Sequence, residues 1–96
     1  MDDFQIDNLS EENEIVFKKL FFQVQKSLAE DVGPLAFKSW LSQLRITELH
    51  NGTLYLCLPS TFLSDWVIPH YGNKIDTYCK KVFKGIKKTK IIVDKN

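Results

Sequence analysis

The sequence predicts an α+β domain in which helices cover one face of a small sheet, and three observations carry that expectation. Residues 10–31 and 60–83 each place apolar side chains at helical spacing. Between them lies Asn51-Gly52, flanked by alternating residues, a strong hairpin signal because both turn positions favour positive φ. A final apolar run, Ile91-Ile92-Val93, follows the glycine that ends the second long stretch. The implied order is helix, helix, strand, strand, helix, strand.

The first helix begins at Ser10, a suitable N-cap, with Glu11, Glu12 and Glu14 placed to complement its macrodipole, and Gly33-Pro34 ends it. At about 100° per residue, Phe17, Leu20, Phe21, Val24 and Leu28 form the core stripe. Ile15 and Phe22 fall opposite, among Lys18, Lys19, Lys26 and Ala29. An apolar ring on a charged face marks a contact surface. Phe21 lies at the stripe's edge, so core packing and partner contact both remain open for it.

Pro34 suits the first turn of a short second helix. Its residues Leu35, Phe37, Trp40, Leu41 and Leu44 form a broad apolar face that is expected to pack deeply. Residues 45–50 and 53–58 are the two hairpin strands. Leu54, Leu56 and Leu58 share one face, which should enter a core with Trp40 and Trp66. Thr53, Tyr55 and Cys57 take the other face. Pro59 closes the strand, and Ser60 or Thr61 can cap the third helix. Pro69 removes a backbone donor and is expected to kink or split that helix near residues 67–68. Tyr71, Ile75, Tyr78, Cys79, Val82 and Phe83 resume helical spacing until Gly85. The last strand is expected over residues 90–93.

Ninety-six residues suit one domain, here residues 10–96 behind a loose acidic tail, residues 1–9. Seven Phe, three Tyr and two Trp supply the large side chains a core this small requires. The start, Met1-Asp2-Asp3, has no basic and apolar signal-peptide regions, and no run reaches the ~20 apolar residues of a membrane span. Cys57 and Cys79 have no CxxC partner, which suggests reduced structural thiols and a cytoplasmic setting. His50 and His70 have no second ligand at metal-binding spacing, so no metal or other cofactor is expected. Tyr71, Asp65 and Ser64 form no recognisable catalytic set, and no enzymatic activity is expected.

Charge is uneven although the net is +1. Residues 1–14 carry six acids and no base, whereas residues 74–96 carry eight lysines against Asp76 and Asp94. Lys80, Lys81, Lys84, Lys87 and Lys88 are candidate contacts for single-stranded nucleic acid, although a solvated basic face is the plainer reading. The only nearby rings are Tyr78 and Phe83, and Gly85-Ile86-Lys87-Lys88 lacks the second glycine of a GxxG clamp. Any such binding should be weak, non-specific and salt-sensitive.

In order, the chain presents Phe37-x-x-Trp40-Leu41-x-x-Leu44, Asn51-Gly52-Thr53-Leu54-Tyr55-Leu56, Pro59-x-x-Phe62-x-x-Asp65-Trp66-Val67, then Tyr71 and Ile75. The run of motifs resembles the N-terminal domain of the DnaA replication initiators over about residues 15–93. The resemblance implies a K-homology-like α-α-β-β-α-β fold, three helices on a three-stranded sheet. It implies a protein-interaction module that self-associates through its first helix, as a homodimer or with a full-length initiator. It further implies contacts with the replicative helicase and regulatory proteins through the second helix and the start of the third. The family's first-helix tryptophan is absent. Ungapped alignment places Phe21 there with Phe22 beside it, so Ile15, Phe21 and Phe22 are the self-association candidates. Phe62 matches the family's helicase-contact phenylalanine, with a local staple as its alternative role. Ala36 stands where some members carry a helicase-contacting acid. The GxxxxGK[ST] loop of a full initiator is missing. An excised domain and a free-standing regulator that caps the initiator are both consistent with this.

Overall fold

The computed structural model describes residues 11–94, with side chains from Ile15 onward. The expected Ser10 cap, the residue 1–9 tail and the glutamates of the first turn therefore lie outside the described residues or side chains. Helix α1 spans Glu11–Val32 and ends at Gly33, whose φ of 94° requires a glycine-like conformation. Helix α2, Pro34–Ala36, runs directly into a π-helical turn, Phe37–Leu41. Strands β1, Arg45–His50, and β2, Thr53–Leu58, form the hairpin. Helix α3, Thr61–Val82, then crosses to β3, Lys88–Val93.

The sheet order is β1-β2-β3, with β1 antiparallel and β3 parallel to β2. Asn51 and Gly52 both have positive φ, 51° and 80°, which builds the tight turn the sequence called for. The register shifts between Ile46 and Glu48, and the Thr47 hydroxyl donates to the Tyr55 carbonyl at 3.1 Å beside that irregularity. The Gly52 carbonyl accepts from the backbone N–H of Lys87 at 2.7 Å and of Lys88 at 3.3 Å. That link starts β3 two residues earlier than the apolar run suggested.

Phe17, Phe21, Val24 and Leu28 of α1 pack with Leu54, Leu56 and Leu58 of β2 and with Val67, Ile75 and Cys79 of α3. Phe83 closes one end of this core, its ring edge-on to Phe17 at 5.6 Å between centroids. The leucine face of β2 is thus the face the helices cover. β2 is the central strand, and Thr53 and Cys57 on its opposite face are also buried. Burying the Cys79 thiol disfavours its charged form, and nearby Asp76 adds to this, pushing its pKa up to about 12.

Three expectations are corrected. The second helix is not deeply packed along its length: Leu41 and Leu44 are buried, Phe37 and Trp40 are half-buried, and Leu35 is 81% exposed. The wider π-turn replaces the regular helix on which the spacing argument relied. Trp66 is not a core residue, because its ring lies over Trp40 at the surface and stays 39% exposed. Pro69 does not split α3, which is continuous across it. Asp65 and Pro69 are both exposed, so the carbonyl that loses its donor can turn to water. One residue on, the His70 ring lies with Nδ1 2.8 Å from the Trp66 carbonyl.

Candidate interaction surfaces

On α1, the helical period separates Phe21 from Phe22 by one step, and the two rings part company. Phe21 is in the core at 5% exposure, whereas Phe22 is 65% exposed and Ile15 is 57% exposed on the same side. Of the three first-helix candidates, Phe21 thus packs in the core, and Ile15 and Phe22 are the exposed ones. Val16, which no sequence pattern marks, is also half exposed on this helix. Phe22 stands as a ridge between two shallow depressions. One is bordered by Ile15, Lys18, Lys19 and Gln23; the other by Lys26, Ala29, Phe37 and Ser42. A ridge flanked by hollows can interlock with a second copy of itself.

The second surface is an aromatic ladder on the N-terminal half of α3. The Ser60 hydroxyl accepts from the Leu63 N–H at 3.2 Å and fixes the helix start. Phe62, Trp66 and His70 follow at intervals of four and therefore line one stripe. Trp40, at the π-turn, stacks on Trp66 at 4.9 Å and reaches Phe62 at 6.0 Å. His70 stacks on Trp66 at 3.7 Å. Phe62 remains 72% exposed at the outer end. Its ring leans on Trp40 across the π-turn, beyond its own helix. Ala36, half-buried where α2 enters the π-turn, brings neither charge nor a side-chain hydrogen bond to this region.

The lysines divide. Lys80 pairs with the Asp76 carboxylate at 2.9 Å, and Lys81 lies over the Tyr78 ring at 5.4 Å. Lys84, Lys87 and Lys88 are exposed around Gly85, beside the hairpin turn. Tyr78 is also engaged on its other side, donating its hydroxyl to Asp31 at 2.7 Å, while Lys74 reaches the same carboxylate at 3.1 Å. The Tyr78 hydrogen bond, then Lys74, holds the Asp31 carboxyl below its ordinary range, and the same contact raises Tyr78. Burial pushes Asp76 upward, but hydrogen bonds from Lys80 and Thr89 outweigh it and leave that carboxyl lowered. These polar ties join α1 to α3 and α3 to β3. Phe83 is buried, and Tyr78 is half-buried with Lys81 over its ring, so little aromatic surface is left open beside these lysines. Among the described residues no cluster of His, Cys, Asp and Glu could hold a metal ion, and no helix is long and apolar enough to cross a membrane.

Comparison with known proteins agrees with this architecture. The family described as the DnaA N-terminal domain matches residues 18–81, from the middle of α1 through nearly all of α3. A chromosomal replication initiator protein DnaA of Bartonella quintana (strain Toulouse) is 27% identical over 92% of this chain and 19% of its own length. That of Rhizobium meliloti (strain 1021) is 32% identical over 77% of this chain and 15% of its own. That of Anaplasma marginale (strain St. Maries) is 36% identical over 57% of this chain and 12% of its own. The chain therefore spans less than a fifth of the length of these relatives. With the order of helices and strands and the match over two thirds of its residues in agreement, the chain belongs to the DnaA N-terminal domain family.

Proposed function

We propose that this domain is a non-catalytic assembly module of cytoplasmic chromosome replication initiation, which self-associates through α1 and recruits the replicative helicase or regulatory proteins through its aromatic ladder. The observation that carries the reading is the exposure of Phe22 beside Ile15 on a helix whose other face fills the core. Leaving a Phe ring in water forfeits about 1.5–3 kcal/mol relative to burying it. A two-fold interface buries the same ring twice. Once the cost of association is subtracted, the expected product is a dimer of micromolar or weaker affinity. The same face would serve a free-standing regulator pairing with a full-length initiator.

Sedimentation of the wild type, Phe22→Ala and Phe21→Ala tests the self-association. Phe22→Ala should be monomeric with an unchanged fold, whereas Phe21→Ala should lose stability. A wild type that stays monomeric at millimolar concentration, or a dimer indifferent to Phe22→Ala, refutes it. For the second surface, a pull-down with the cognate helicase should weaken with Phe62→Ala and not with Phe22→Ala.

A nucleic-acid reading keeps one favourable observation, the exposure of Lys84, Lys87 and Lys88. With Phe83 buried and only the half-buried Tyr78 nearby, it supports only weak attraction to single strands.

A further inference from the structure

β3 forms one edge of the sheet, and among the described residues no strand lies beyond it. The N–H groups of Lys88 and Asp94 both point to β2, reaching the carbonyls of Gly52 at 3.3 Å and Leu58 at 2.9 Å. Backbone direction alternates along a strand, so the N–H and C=O groups of Lys90 and Ile92 also face β2, while those of Thr89, Ile91 and Val93 point outward. At Thr89 the outward N–H is taken, donating to the Asp76 carboxylate of α3 at 3.2 Å. The open stretch of edge is therefore short, the backbone groups of Ile91 and Val93.

The side chains alternate in step. Ile91 and Val93 lie on the helix-covered face, beside Leu56 and Leu58 in the register. Lys90, Ile92 and Asp94 lie on the opposite face, where Ile92 is 40% exposed. Lysine on an edge strand discourages pairing with another chain. Here Lys88 and Lys90 guard only one end of β3, and an exposed isoleucine stands beyond them.

This pattern is self-complementary in one antiparallel register. Centred on Ile92, a second copy of β3 sets each Ile91 against the other copy's Val93, so the open N–H and C=O groups of both copies pair. Ile92 then meets Ile92 in a non-hydrogen-bonded pair, where side chains approach closest. Lys90 of each copy faces Asp94 of the other, giving two opposite-charge pairs related by the two-fold axis. Arg45 holds Asp94 at 3.1 Å within the same copy and fixes its carboxylate on this face. Centring the pair on Lys90 instead would set lysine against lysine, which is destabilising.

We propose that the β3 edge is a self-pairing site, at which two copies align antiparallel about Ile92 and extend the sheet across a two-fold axis. Two open residues per copy fall far short of the ~1,200 Å² of a stable interface, so the pairing of free chains is transient. It gains weight where copies are already held together, at effective concentrations on the order of millimolar. It uses no residue of the exposed α1 face and does not depend on pairing there.

The test is disulfide trapping in the full chain carrying Ile92→Cys, with oxidised glutathione as the oxidant. Cys57 and Cys79 are buried, so the new thiol is the reactive one. Opposed Cβ atoms of a non-hydrogen-bonded pair lie about 4.5 Å apart, within reach of a disulfide. Every chain also carries Phe22→Ala, so failure of α1 pairing and failure of β3 pairing are read separately. Ile92→Cys should form linked dimer about tenfold faster than Lys88→Cys, whose two copies lie about 27 Å apart in this register. Val93→Pro removes an outward N–H, leaves the bonds to β2 intact and should bring the rate down to the Lys88→Cys level. Lys90→Glu sets like charges opposite one another and should lower the rate about three- to tenfold. Unchanged Leu54 and Leu56 amide signals verify the fold in each variant. Linking no faster than that of Lys88→Cys overturns the proposal, as does fast linking indifferent to Val93→Pro or to Lys90→Glu. Ile91 and Val93 amides that shift with an acidic extended peptide, in a chain whose Ile92→Cys form stays unlinked, would assign the edge to a different partner and overturn it too.

Discussion

Phe21 and Phe22 are chemically identical neighbours in opposite environments, and the difference arises from a rotation of about 100°. The buried ring shares the core with Leu54 and Leu56, each fully enclosed. Leu56→Ala should therefore cost about 2–5 kcal/mol, through lost transfer energy and the residual cavity. Phe22→Ala should change monomer stability by less than about 0.5 kcal/mol. Urea titrations of the two variants, at a concentration where the chain is monomeric, check both values. Individual polar residues give a pH signature as well. Asp31 and Asp76 have carboxyls lowered on folding. A lowered carboxyl stabilises the fold above its unfolded pKa of about 4, and that contribution is lost as pH falls through the folded value. Stability should decline below about pH 4, and Asp31→Asn with Asp76→Asn should flatten the decline while lowering stability at neutral pH. Thermal melts across that range make the comparison.

At the scale of elements, the legible features were those decided locally. The course of α1, the Asn51-Gly52 turn and the alternation of β2 each follow from a period or a dihedral requirement contained in a few residues. The π-turn at Phe37–Leu41 was not legible, because the same apolar spacing reads as ordinary helix. The surface position of Trp66 is hidden from the sequence for a related reason. A wheel assigns it to the apolar stripe of α3, but cannot show that the stripe extends past the edge of the core onto Trp40. β3 began early because the Gly52 carbonyl, distant in sequence, accepts from Lys87 and Lys88. Pro69 and Ser60 give α3 two opposing local terms. Ser60→Ala removes the cap and should cost about 1 kcal/mol. Pro69→Ala restores a helical donor and a better helix former, and should raise stability by about 1 kcal/mol or more, although Pro also restricts the unfolded chain. Chemical denaturation should show the two shifts with opposite sign. A drop in stability for Pro69→Ala would mean that α3 depends on the proline's local shape.

For the whole molecule, the placement of charge and apolar area separates the candidate activities. The Ile15 and Phe22 face belongs to α1, the ladder to α3 and the π-turn, and the exposed lysines to the loop after α3 and the first residue of β3. Of the candidate site residues in the sequence, Ile15, Phe22 and Phe62 emerge exposed, Phe21 is internal, and Lys80 and Lys81 are engaged within the protein. The remaining three cations set an expectation for any nucleic-acid affinity. With Lys84, Lys87 and Lys88 neutralising three phosphates, the logarithm of the association constant should fall with the logarithm of salt with a slope of about −2 on single strands. A salt-independent or base-selective complex in a fluorescence titration would contradict that assignment.

Both tryptophans of the chain lie in the ladder, with their rings 4.9 Å apart and His70 against one of them. The protein thus carries an intrinsic optical probe confined to a single face. A ligand landing on Phe62 and Trp66 alters the shielding of both indoles at once and should shift their emission and near-ultraviolet dichroism. Pairing through α1 leaves the indoles untouched and should be optically silent. Unlabelled protein can therefore distinguish occupancy of one surface from occupancy of the other in the same cuvette: titration with a partner that changes the emission reports the ladder, while a change in mass without a change in emission reports α1.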